Sequence, residues 1–193
     1  MATRYLTTAI FKTYLRSELT LEDTAYEAAI NAAELWLDNK CQRRFEVAGA
    51  ATARVFSPLS GQVLIIHDCT AITTVVDNGT TLVSGTDYQP EPLNAITAAG
   101  DPSPYYRLRR LNGYWYSWNS KATVTVTATW GWAAIPLSIV EACKIVAKDF
   151  FEQRDVTHGI LGFSEAGGIG TRENRLVQDA VNQYRHPNSW GIA

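Results

Sequence analysis

Residues 121–155, KATVTVTATWGWAAIPLSIVEACKIVAKDFFEQRD, decide the reading of this chain: a strand runs through a sharp turn into a long helix. Thr123, Thr125, Thr127 and Thr129 alternate with Val124, Val126, Ala128 and Trp130, the period-2 pattern of a half-buried strand. Gly131 breaks the strand. Pro136 fits the first helical turn, where its missing N–H costs little, and Ser138 with Glu141 has the spacing of a capping box. Ile139, Cys143, Val146 and Phe150 then fall on one helix face. Glu141, Lys144, Lys148 and Glu152 fall on the other, at spacings that form ion pairs. Such a helix is about 30 Å long at about 1.5 Å per residue and needs a second helix over its apolar stripe.

The N-terminal region supplies that partner. Thr7 or Thr8 is expected to cap a brief helix carrying Ile10, Tyr14 and Leu15. Thr20, three residues before Asp23, starts a longer one ending near Cys41. Tyr26, Ile30, Ala33 and Leu37 form its apolar stripe, flanked by Ala29, Ala32 and Trp36. Glu27, Asn31, Glu34 and Asp38 are assigned to the opposite, solvated face. The small alanines let another helix approach closely, so the two long helices are predicted to pack together.

Between them the period changes from helical to extended. Predicted strands cover 52–56, 63–66, 72–76, 80–83, 105–111, 114–118 and 123–130. Asn78-Gly79 and Asn112-Gly113 each separate two of these runs and read as hairpin turns, since both residue types tolerate positive φ. Residues 89–104 contain four prolines and read as an irregular loop. The expected fold is therefore α+β: a bundle of N- and C-terminal helices with an inserted antiparallel β-region. Residues 1–158 form the compact domain, with the β-rich insertion at about 48–130, and residues 159–193 form a flexible C-terminal arm with a short last helix.

A chain of 193 residues with 46% hydrophobic and 19% charged content can bury a real core, and global disorder is excluded. The net charge of −2 gives no electrostatic reason for tight nucleic-acid binding. No apolar run has the length of a membrane span, and MATRYLTTAI lacks a signal-peptide core, so no membrane partner is expected and the expected compartment is the cytoplasm or a particle assembled there. Cys41, Cys69 and Cys143 are odd in number and lie in apolar patterns, which reads as three buried thiols.

Past Asp155 glycines dominate: Gly159, Gly162, Gly167, Gly168 and Gly170, interspersed with Ile160, Leu161, Phe163 and Ile169. Isolated large apolar residues on a glycine-rich arm call for a surface to dock on. Thr171 is expected to cap a helix over 172–185, with Leu176, Val177, Ala180 and Tyr184 on one side. The terminal NSWGIA leaves Trp190 and Ile192 on a short tail. GFSEAGGIG is not a phosphate loop, because Lys-Ser/Thr after its last glycine and a strand before it are both lacking.

Other constellations are weaker still. His67-Asp68-Cys69 holds reactive residue types, but strand neighbours point to opposite faces and cannot form a triad among themselves. That segment reads as a strand end turning into a loop. The histidine spacing does not suggest zinc. Tyr105, Tyr106, Tyr114, Trp115, Tyr116, Trp118, Trp130 and Trp132 form an aromatic cluster. It can be a carbohydrate platform over 105–132, a protein interface, or sheet packing; Trp130 is assigned to packing, and Tyr114, Trp115, Tyr116 and Trp118 to a subunit or connector interface. Arg43, Arg44, Arg107, Arg109 and Arg110 are of the type that contacts a phosphate backbone, but acidic residues elsewhere balance them, and a solvated face or inter-subunit ion pairs is the favoured reading.

The order of these features resembles the phage head–tail connector (adaptor) proteins. The resemblance lies in YLTTAIFKTYLR and the alanine-rich helix ending in CQRRF, in TVTVTATWGWAAIP running into SIVEACKIVAKDFFEQRD, and in HGILGFSEAGGIGTRENRLVQDAVNQYR. It covers both ends of the chain and is weak across 48–119. It implies a non-enzymatic structural protein without cofactors: a subunit of a ring, usually twelvefold, at the portal vertex of a virion assembled in the host cytoplasm. Its implied partners are the portal protein, neighbouring adaptor subunits, the next head-completion or tail protein, and genomic DNA passing without sequence-specific binding. The implied portal contacts are Ile160, Leu161, Phe163, Ile169, Arg172, Leu176, Tyr184, Arg185, Trp190 and Ile192. A sugar-binding module of a phage tail and a hydrolase using His67 and Asp68 are the rival readings.

Overall fold

The computed structural model describes residues 5–16, 22–58, 61–96, 102–115, 123–154 and 174–186. The chain divides into two compact units, Met1–Phe45 with Ile135–Ala193, and Glu46–Ala134. The first is helical and the second is built on a β-sheet, so the fold is α+β.

In the helical unit, α1 (Thr8–Leu15) begins at Thr7, whose side chain accepts a hydrogen bond from the Ile10 N–H. It buries Phe11 and leaves Ile10 and Tyr14 exposed. Helix α2 (Asp23–Cys41) follows Glu22, which makes no side-chain cap; Thr20 lies outside the described residues. The stripe Tyr26, Ile30, Ala33 and Leu37 is buried as expected, facing α3 (Leu137–Gln153), which buries Ile139, Ala142, Cys143, Val146 and Ala147. Each large side chain buried this way contributes about 1.5–3 kcal/mol relative to exposure.

Three local expectations are corrected. Pro136 is the residue before α3, and Ser138 lies inside the helix, so no capping box forms. Phe150 is only half-buried; Phe151 supplies the ring that meets Tyr26 at 4.7 Å and Phe11 at 6.5 Å. Glu34 and Asp38 are buried: Glu34 accepts from the Tyr5 N–H at 2.7 Å, and Asp38 accepts from the Tyr5 phenol. The same phenol oxygen accepts from the Phe45 N–H at 3.0 Å, so Tyr5 anchors the N-terminal segment to the residue where the chain leaves this unit.

Helix α4 (Arg175–Tyr184) is capped by Asn174 and packs against α2 and α3 through Val177, Ala180, Val181 and Tyr184. Cys41 closes the arrangement, its carbonyl accepting from the His186 N–H. At the far end Arg154 donates to Glu22 at 2.6 Å. That bond, followed by one from the Tyr26 phenol, holds the Glu22 carboxyl below its ordinary range.

The β unit contains strands β1 (Thr52–Phe56), β2 (Val63–Asp77), β3 (Thr80–Leu82), β4 (Tyr88–Glu91), β5 (Tyr105–Arg110) and β6 (Val124–Trp130). The antiparallel sheet has the order β1-β6-β2-β5-β4, with β3 on β2. Val124, Val126, Ala128 and Trp130 are buried in its core with Leu64, Val75, Leu108 and others, while the intervening threonines are half-buried. Asn78 and Gly79, at φ 46° and 84°, make the expected tight turn from β2 to β3.

Here too the reading changes in places. The runs 63–66 and 72–76 are one strand, interrupted only by register shifts between Ile65 and Cys69, Cys69 and Ala71, and Ile72 and Thr74. His67 therefore lies within a strand. Residues expected in a loop form β4, whose Pro90 faces Leu108 at a sheet edge where no ladder donor is needed. After Asn112-Gly113, Tyr114 and Trp115 are outside any strand, and the rest of the expected run 114–118 lies outside the described residues.

The two ends of this unit are tied to each other. Trp132 N–H donates to the Glu46 carbonyl at 2.7 Å, and Ala48 N–H donates to the Trp132 carbonyl at 2.8 Å. Gly131, at φ 116°, makes this approach possible, since a Cβ there would lie 2.5 Å from the Glu46 oxygen.

Candidate functional site

The sheet face opposite the core differs along its width. Across β2, β5 and β4 the register sets Val63 beside Arg109 and Gln89, and Ile65 beside Arg107 and Glu91. Glu91 is buried between two arginines, Arg107 and Arg109, each at 2.6 Å. Burial alone would raise its carboxyl, but the Arg109 hydrogen bond and the charge of both guanidinium groups leave it below its ordinary range. Across β1, β6 and β2 the same face holds Ala53 and Val55, Thr125 and Thr127, and Thr74 and Val76, and carries no charge.

His67, Asp68 and Cys69 do not converge. The His67 Nδ1 is 2.9 Å from Arg54, and Asp68 accepts from the Trp132 Nε1 at 3.2 Å. Burial first, and Arg54 second, lower the His67 pKa. Burial pushes the Cys69 thiol up to about 12, so it is no thiolate nucleophile. Arg54 itself stacks 4.6 Å from the Trp130 ring, with Phe56 and His67 at the same edge. The residue types that suggested chemistry thus serve a sheet margin.

The aromatic cluster is likewise divided. Trp115, expected at an interface, is only 3% exposed; it packs in the β core, donates Nε1–H to the Gln62 carbonyl at 2.9 Å, and lies under Arg110. Tyr114 next to it is 72% exposed. Tyr116 and Trp118 lie outside the described residues. The basic residues are paired rather than clustered for a phosphate backbone: Arg107 and Arg109 hold Glu91, and Arg44 is 4.0 Å from Asp38.

Of the residues that the resemblance assigns to the portal, Ile160, Leu161, Phe163, Ile169, Arg172, Trp190 and Ile192 lie outside the described residues. Tyr184 is buried against Phe45, with ring centroids 6.0 Å apart, so it is a core residue of the helical unit. Leu176 and Arg185 are exposed. Cys41, Cys69 and Cys143 are buried and free of disulfides, as expected. Among the described residues, no group of three or more His, Cys, Asp or Glu side chains is placed to hold a metal, and no helix is long and apolar enough to cross a membrane.

No protein-family model matches this chain, and no curated protein matches it. Solved structures do. The neck of the native gene transfer agent (GTA) particle, computed with C12 symmetry, contains a chain with TM-score 0.56 and 14% identity; the match covers 100% of this chain and 96% of that one. A chain in the neck of the empty GTA particle, computed with C6 symmetry, gives TM-score 0.55 at 18% identity, covering 93% and 92% of the two chains. One in the virion of the native particle gives 0.56 at 18%, covering 97% and 93%. The likeness is one of fold, and it spans both units.

Proposed function

We propose that this chain is a structural subunit of the neck of a phage-type particle: an adaptor ring that joins the portal of the capsid to the tail and extends the DNA channel. The observation that carries the proposal is the end-to-end fold likeness to neck chains of particles with closed rotational symmetry. The sequence resemblance to head–tail adaptors, which rests on the order of motifs at both ends, agrees with it independently. A ring of identical subunits needs a heterologous contact that closes by rotation. The channel reading suits a net charge of −2, which lets DNA pass without adhering.

In this reading the segments 155–173 and 187–193, with Ile160, Leu161, Phe163, Ile169, Arg172, Trp190 and Ile192, reach the portal. Leu176 and Arg185 extend that contact along α4. A sugar-binding role is disfavoured by the burial of Trp115. The test is to mix the purified chain with the portal of its own particle and image the complex by electron microscopy. A ring of subunits on the portal is expected, and its loss on combining Ile160→Ser, Leu161→Ser and Phe163→Ser. A bare portal with the unaltered chain overturns the proposal.

A further inference from the structure

Strand β1 lies at one edge of the sheet, and Thr52, Ala53, Arg54 and Val55 are all exposed. Its register sets Thr52, Arg54 and Phe56 beside Ala128, Val126 and Val124, so these three share the face of the buried core. A charged side chain directed inward from an edge strand is one of the devices that keep such an edge from pairing with another chain. Arg54 is that charge. Its guanidinium lies 4.6 Å from the centroid of the Trp130 ring, crosses β6, and places Nη1 2.9 Å from Nδ1 of His67 on β2. Among the described residues its hydrogen-bond partner is therefore an imidazole, not a carboxylate.

A guanidinium has N–H donors and no acceptor. Nδ1 of His67 must accept, which fixes the ring as neutral with its proton on Nε2. The same imidazole stands edge-on to Phe56 at 5.4 Å and to Trp130 at 6.1 Å. Arg54 and Phe56, the two large inward side chains of β1, thus rest on one titratable ring. The other ionisable groups near it are engaged elsewhere. Asp68, next on β2, accepts from Trp132, and Cys69 is held as a neutral thiol by burial. On β5, Arg107, which pairs with Ile65, is held by Glu91. From β6 the neighbour is Trp130, which carries no charge. Arg54 is the charge that His67 meets, and it acts with burial in lowering the His67 pKa.

We infer that His67 is an acid-sensitive catch for β1: its protonation ejects Arg54 and loosens the edge strand. A proton on Nδ1 turns the acceptor into a donor that faces a donor, and it sets two cations in contact. The ring takes that proton readily only once Arg54 has swung into water, where its affinity returns to about pH 6.5. Falling pH therefore favours the open form, by up to about tenfold per pH unit below that value, and rising pH recloses the catch. What then holds the strand is its ladder to β6 and the bond from Trp130 Nε1–H to the Thr52 carbonyl.

The test uses the full chain. Nitrogen NMR of the imidazoles at about pH 7.5 should find the His67 proton on Nε2, and Arg54→Gln should move its titration midpoint up toward the ordinary value of about 6.5. Hydrogen exchange across 52–56, corrected for its intrinsic pH dependence, should quicken about threefold or more between about pH 7.5 and about pH 5.5, while 105–110 on β5 stays unchanged. His67→Gln keeps a neutral acceptor without a titratable ring and should abolish that response. His67→Arg carries a fixed charge and should exchange at about pH 7.5 as the unaltered chain does at about pH 5.5. Position 67 is exposed, and circular dichroism checks that both variants keep the fold. A His67 proton on Nδ1 at neutral pH, an acid response that survives His67→Gln, or protection of 52–56 that ignores pH in the unaltered chain overturns the inference.

Discussion

The two units obey different rules of legibility. In the helical unit a face is set by residues three and four apart, so Tyr26, Ile30, Ala33 and Leu37 announce their burial within a short window. In the β unit burial depends on which strand pairs with which, and on whether register is kept. The register shifts in β2 put its alternation out of phase, and a single strand of 15 residues therefore reads as two. Pro90 and Pro92 hide β4 for a related reason: a sheet edge tolerates what a central strand does not. Local periodicity survives translation into structure, and pairing has to be discovered.

The largest effect expected from a single substitution tests the helical side. Val146 is buried on α3, and Val146→Asp places an unpaired charge in that core at a cost of about 3–5 kcal/mol. Urea unfolding followed at 222 nm should show a helical transition near the start of the titration. The β unit has a core of its own, so its near-UV aromatic signal is expected to persist to higher urea. Coincident loss of both signals would mean that the two cores melt as one, and the distinction between units would fall.

A neighbouring pair of aromatic residues sharpens the β side. Trp115→Ala removes a buried indole and its bond to Gln62, costing about 3–5 kcal/mol. Tyr114→Ala, one residue earlier and largely exposed, should stay within about 0.5 kcal/mol of the unaltered chain. Equal effects at the two positions, measured by chemical denaturation, would remove Trp115 from the core.

What could be read from the residues, and what could not, follows the same division. The strand from Val124, the turn at Gly131 and the burial of Ile139, Cys143 and Val146 were all legible in one stretch, because every signal lies within a few residues of the next. Glu34 and Asp38 read as solvated, since nothing near them in sequence supplies a donor; Tyr5 does so from 29 and 33 residues away. The adaptor resemblance implies a partner surface for Tyr184, yet its helix packs on α2 and α3.

An effect smaller than those at Val146 and Trp115 separates the units by pH. Burial first, and Arg43 second, lower the His186 pKa to about 4, so the folded chain takes up that proton only near pH 4. The unfolded chain takes it up near about pH 6.5. His186 therefore contributes its full stability above about pH 6.5 and loses it progressively as pH falls toward about 4. Because His186 is partly solvated, the usable effect is about 1 kcal/mol, or about 2–4 °C in Tm for a chain of this size. His67 in the β unit is shifted in the same direction, by burial and then by Arg54. Carboxylates enter mainly below about pH 5, so the window from about 6.5 to about 5 isolates the two histidines. His186→Gln should flatten the pH dependence of the helical signal, and His67→Gln that of the aromatic signal. If either substitution flattened both signals, the proton would be felt across the whole chain, and the helical and β units would have to be treated as one cooperative body.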